Sequence, residues 1–208
     1  MIRVLATLRG ISPLLMNPAT EELLDQLRNR TPAQKRTDWP AEDEAAAKLY
    51  RDDDGAIGIP SLNLFSCLAE AGRLVKSGKK QISTAKSTIL PSILSIEEFF
   101  LPFKDDPEWV VDKRRGRNPN GGEMVCLVRP KFTDWEFDVT LEIDETEVDE
   151  SIVRQLVETA GKKVGLCDFR PACKGPFGRF YVAAWVKQDG STNGKAAVGA
   201  KELATVTA

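Results

Sequence analysis

"WEFDVTLEIDETEVDESIVRQLVETAG", residues 135–161, is the stretch that decides the fold. Its first residues alternate. Trp135, Phe137, Val139, Leu141 and Ile143 share one face, while Glu136, Asp138, Thr140 and Glu142 share the other. A period of two with one apolar face describes a strand that lies on a core. The period then changes. Ile152, Val153, Leu156, Val157 and Ala160 recur at helical spacing, and Gly161 suits a C-terminal stop. Thr146 and Asp149 stand at capping-box spacing, which predicts a helix starting near 146. A half-buried strand followed by an amphipathic helix predicts a helix laid on a sheet.

Working outward, "RFYVAAWVK" (179–187) is a second alternating strand, and "IRVLATLRG" (2–10) a third, with Ile2, Val4, Ala6 and Leu8 inward. "PSLNLFSCLAEAGRLVK" (60–76) reads as a helix whose apolar stripe is Leu62, Phe65, Ala69, Gly72, Leu74 and Val75. "ILPSILSIEEFFLPF" (89–103) is β-rich and interrupted by Pro91. "TEELLDQLRNR" (20–30) and "DWPAEDEAAAKLY" (38–50) read as short helices capped by Thr20 and Asp38. "EWVVDKRRGRNPNGGEMVCLVRP" (108–130) reads as two strands around a basic tip, reversed at Asn120-Gly121. The order strand, helix, strand, strand, helix, strand predicts an α+β chain of ferredoxin-like type (βαββαβ), an antiparallel sheet with helices on one face. The expected organisation is one domain over 1–187, with a helical insertion at 20–58, the basic hairpin at 108–130, and a flexible C-terminal tail at 188–208.

Composition narrows the function. The chain has 208 residues, 42% of them hydrophobic and 29% charged, enough for one domain with a sizeable core. No apolar run is long enough for a span, so no membrane partner is expected. "MIRVLATLRG" is too short and too charged for a signal peptide. The four scattered cysteines, Cys67, Cys126, Cys167 and Cys173, read as reduced thiols of a cytoplasmic protein. Histidine is absent, which removes imidazole acid–base chemistry and histidine metal ligands. The acidic run Asp52, Asp53, Asp54 before Gly55 reads as a solvated turn. No phosphate-binding loop, dinucleotide fingerprint or nucleophile elbow is present. The expectation is a protein without cofactor, metal or catalytic residue.

Net charge is −2, so nucleic-acid binding requires a local patch. Two patches stand out. Lys113, Arg114, Arg115 and Arg117 crowd four cations into five positions of the hairpin. "GLCDFRPACKGPFGRF" (165–180) mixes glycines with Arg170, Lys174 and Arg179, and Lys162 and Lys163 precede it. Such glycines permit close approach and an amide nest for an anion. Phe169 and Phe177 suit stacking on a base or packing in a core. The acidic face of 135–144 repels phosphate and is expected to pair with Arg3 and Arg9. Loops and hairpin, rather than an aromatic sheet face, are therefore the expected nucleic-acid contacts.

"GAIGIPSLNLFSCLAEAGR" (55–73) resembles the segment of the RAMP superfamily of CRISPR-associated proteins in which an Ile-Pro-x-Ser-like turn opens the first helix. The matching positions are Ile59, Pro60, Ser61, Leu62 and Arg73. "VGLCDFRPACKGPFGRFYV" (164–182) is similar to that family's glycine-rich loop before its final strand. The likeness covers roughly 1–187 in topology but only these two motifs in sequence. The chain lacks the histidine of the RNA-processing members, so the resemblance implies a non-catalytic, backbone-type effector subunit. It would grip single-stranded RNA (or DNA) largely without regard to sequence, and self-associate head-to-tail into a helical array beside other effector-complex subunits. Two other readings stay open: a self-assembling structural protein of phage or mobile-element origin, and a metal-dependent nuclease using Asp52 to Asp54.

Overall fold

The computed structural model describes residues 1–19, 21–30, 39–117, 122 and 124–188, with the backbone alone at 21–23 and 117. Its elements in chain order are β1 (Ile2–Gly10), β2 (Leu14–Leu15), α1 (Glu21–Asn29), α2 (Ala41–Ala46), β3 (Gly58–Pro60) and α3 (Ser61–Ala71). There follow β4 (Lys76–Ser77), β5 (Lys80–Gln81), α4 (Leu90–Ile93), β6 (Leu94–Ile96), β7 (Phe100–Pro102), β8 (Trp109–Arg117) and β9 (Met124–Phe132). The chain continues through β10 (Glu136–Ile143), α5 (Glu150–Thr159) and β11 (Phe180–Gln188).

The fold is α+β with antiparallel sheets. The main sheet runs β11-β1-β10-β6, each neighbour antiparallel. The alternation of the strands explains its layering. Val4, Ala6 and Leu8 of β1 and Phe137, Val139, Leu141 and Ile143 of β10 are wholly buried. They share one core with Leu64, Cys67, Leu68 and Ala71 of α3 and with Val153, Leu156 and Val157 of α5. A second sheet, β2-β9-β8, carries the hairpin, and Trp109 and Phe132 at its base join the same core. Lys48, just beyond α2, fastens the hairpin by donating to the Val128 carbonyl at 2.7 Å while pairing with Glu44 at 2.9 Å. Among the described residues no helix is long and apolar enough to cross a membrane.

Three local expectations need correction. The buried stripe of α3 is Leu64, Cys67, Leu68 and Ala71; Leu62 and Leu74, placed on the expected stripe, are exposed. Both sets satisfy helical spacing, and the sheet selects between them. The helix expected from 146 begins at 150, with Asp149 at its N-cap. Thr146 instead donates its hydroxyl to the Asp144 carboxylate at 2.7 Å, a local turn that competes with helix initiation. Nor does Gly161 end this helix. The chain runs on through a π turn, Ala160–Val164, and stops at Gly165, whose φ is +78°.

Gly161 serves close packing. A Cβ there would strike the carbonyl oxygen and ring of Phe180 at the start of β11. Gly161→Ala is expected to destabilise the chain by about 1–3 kcal/mol, the usual cost of overpacking, read from urea unfolding midpoints. The expected caps Thr20 and Asp38, the Asn120-Gly121 reversal and the tail from 189 lie outside the described residues. Gln188, assigned to that tail, closes β11.

Candidate nucleic-acid interface

The hairpin cations lie along β8 itself rather than at a tip. Residues opposite one another in an antiparallel ladder share a face, so the register divides them. Asp112 faces Arg129 and Arg114 faces Leu127; on the alternate face Lys113 stands opposite Val128 and Arg115 opposite Cys126. Arg117 ends the strand opposite Met124. Lys113 and Arg115 are exposed.

The Asp112 face meets the glycine-rich loop. Asp112 and Arg129 are 7% and 3% exposed, so burying either is costly without a partner. Arg129 Nη2 donates to Asp112 Oδ2 at 3.3 Å, and Nη1 to Asp168 Oδ2 at 2.8 Å. From the other side Arg114 Nε donates to both Asp112 oxygens, at 2.8 and 2.9 Å. Its guanidinium carbon lies 4.7 Å from the Phe177 ring centroid, and the Phe177 and Phe169 rings are 5.9 Å apart. Asp168 is held in turn by its own amide, which donates to the Leu15 carbonyl at 2.9 Å. The row Arg114, Asp112, Arg129, Asp168 thus lashes the glycine-rich loop to the hairpin. Sequence reasoning missed Asp112 and Arg129, because a polar residue on an alternating strand reads as solvent-facing until its partner strand is known.

The loop is tightly wound. Gly165 and Gly178 take φ of +78° and +69°, and Cys167, Phe169 and Lys174 are left-handed without being glycine, at +58°, +47° and +61°. The Gly178 amide donates to Pro13, the Gly175 amide to Arg170, and the Phe177 amide to Phe169. These amides serve the loop's own folding, so the expected anion nest is not built from them.

The cations remain. Lys162, Lys163, Lys174 and Arg179 are exposed. The Arg170 side chain is 30% exposed, donates to the Cys167 carbonyl at 2.9 Å and sits 3.8 Å from Glu70. Phe177 is 6% exposed and Phe169 half-buried. Solvent-facing cations of hairpin and loop therefore flank a shared scaffold made by Arg114 and the two rings.

The outer face of the main sheet is self-paired. Arg9 lies 3.8 Å from Glu136, while Arg3 pairs with Glu97 rather than with an acid of β10. Lys104 bridges Asp138 and Glu136 at 2.7 and 3.1 Å, bonds that raise its pKa above the ordinary lysine value. Asp52 accepts the amides of Asp54 and Ala56 at 3.1 and 2.8 Å, which makes the acidic run a self-bonded turn.

The thiols differ sharply. Cys67 is 3% exposed, and burial pushes it up to about 12. Burial likewise pushes Cys167 up to about 12, its sulfur turned toward the Asn63 amide at 4.0 Å. Cys126 and Cys173 are exposed. Thiol-reactive dye at neutral pH is expected to label Cys126 and Cys173 quickly, Cys167 slowly, and Cys67 only on unfolding. An unfolded chain ionises a thiol near pH 8.5, roughly. Folding therefore keeps the Cys67 and Cys167 protons, and their contribution is full below that pH and is lost as pH rises toward 12.

Fold and site together define an α+β chain whose cationic hairpin is bound by a buried ion chain to a glycine-rich loop. The fold is similar to that of a chain in the cryo-EM structure of the Type III-B Cmr-beta bound to cognate target RNA, with a TM-score of 0.52 and 10% identity. The match covers 89% of this chain and 60% of that one, so this chain spans less than two thirds of its neighbour's length. Neither a protein-family model nor a curated protein matches the sequence.

Proposed function

We propose that this chain is a CRISPR-associated RNA-binding subunit of RAMP type that holds a single strand mainly by its phosphates. The observation that carries the reading is the Arg114–Asp112–Arg129–Asp168 chain, which fixes two cationic segments of distant sequence against each other. Exposed Lys113 and Arg115 on one side and Lys174 and Arg179 on the other supply phosphate contacts. Two further facts support it. The strand order β11-β1-β10-β6, with α3 and α5 sharing its core, supports the expected ferredoxin-like reading of the sheet. The fold also resembles a chain of an assembly whose bound ligand is target RNA. The self-paired acidic sheet face makes hairpin and loop the contacts, rather than the sheet.

In this reading the subunit is cytoplasmic and non-catalytic, associates head-to-tail with its own copies and joins other effector-complex subunits. Titration of labelled single-stranded RNA at 50 and 200 mM salt (roughly the range over which phosphate contacts dominate) tests it. Affinity should fall steeply between the two, with the labelled strand intact in magnesium or manganese. Absence of binding at the lower salt overturns the reading; metal-dependent cleavage overturns its non-catalytic part.

A further inference from the structure

The glycine-rich loop packs against more than the hairpin. It also closes a cavity of about 250 Å³ against the start of α3 and the strand-entry segment at Tyr50. Asn17, Tyr50, Asn63, Ser66, Asp168 and Arg170 line it. None of the first four entered the sequence reading. Asn17 and Ser66 are exposed at its rim, so the cavity opens to solvent.

Its charges are balanced and already engaged. Asp168 serves Arg129, and Arg170 serves Glu70 and the Cys167 carbonyl. What remains is the Asn17 amide and the Ser66 hydroxyl, beside a Tyr50 hydroxyl and an Asn63 amide that are hydrogen-bonded to each other. Tyr50 is half-buried; burial holds its phenol above the ordinary value, and its hydrogen bond to Asn63 acts against that rise. A phosphate would need uncommitted cations, which this lining lacks. A carboxamide instead presents a donor and an acceptor side by side, the pattern that matches the edge of a base. The volume lies below the roughly 300–1,000 Å³ of sites for larger ligands, which fits one ring system and not two linked nucleotides.

We propose that this cavity takes one nucleobase of the bound strand, so that each copy reads one position while its cations hold the backbone. The inference rests on the RNA-binding reading. Phosphate contacts would supply affinity, and the cavity would add discrimination.

Fluorescence anisotropy with the full chain tests it, using four short homopolymeric RNAs and a strand of equal length made wholly of abasic sites. The expected result is about a tenfold spread in Kd between the best and the poorest base, with the abasic strand weakest of all. Ser66→Phe, which fills the cavity from its exposed rim, should erase the spread and keep the salt dependence. Equal binding of all five strands overturns the proposal and leaves the phosphate-holding reading standing. A spread that survives Ser66→Phe also overturns it, since another surface then reads the base. Failure of every strand to bind at low salt removes both. Should the variant unfold, the five-strand comparison on the unaltered chain decides alone.

Discussion

Lys113→Glu combined with Arg115→Glu lowers affinity for single-stranded RNA by at least about tenfold at low salt and flattens the slope of log K against log salt by about 1.4, at 0.7 per lost phosphate contact. Both side chains are exposed on the hairpin face away from the loop, and neither joins the buried ion chain. The unfolding midpoint should therefore not move. That pairing of outcomes separates the residues from Arg114, whose reversal would set a third carboxylate beside Asp112 and Asp168 and disturb folding as well. Unchanged affinity in the double variant would remove the hairpin from the interface.

The second large effect concerns the ion chain. Asp112→Ala leaves Arg129 buried with Asp168 alone and strips Arg114 of its carboxylate. The expected loss is about 1–3 kcal/mol, the cost of leaving a buried Arg129 donor unsatisfied while Asp168 still balances its charge, seen as a fall in the urea midpoint. Glu97→Ala is the control. It breaks an ion pair whose two side chains are nearly half exposed, and should leave the urea midpoint almost unmoved. A double change, Asp112→Leu with Arg129→Met, removes both charges together and is expected to recover much of the loss. It should still weaken RNA binding, since the loop is then no longer lashed to β8. Equal, small effects of Asp112→Ala and Glu97→Ala would contradict the burial argument.

How much of this was legible in the sequence follows from which signals are local. Strand β10 was readable because alternation with one apolar face is a property of the strand itself, and Phe137 to Ile143 are buried as expected. The face of α3 was not, because that helix is apolar on two sides and only the sheet decides which side is covered. The start of α5 was misplaced because Thr146 had a nearer acceptor in Asp144 than the helix amides. Composition revealed both cationic clusters. Their division over two faces of β8 depends on register with β9, which lies in neither strand alone. The same dependence hid Asp112 and Arg129, and the cavity draws Asn17, Tyr50, Asn63 and Ser66 from separate segments that only folding unites.

The central claim is that hairpin and glycine-rich loop together hold a single strand. Hydrogen exchange of the full chain, with and without saturating single-stranded RNA at low salt, tests it most directly. The account predicts added protection in 109–117 and 165–180 together, and none on the outer face of 135–144. Protection confined to one of the two segments, or centred on that acidic strand, would contradict it.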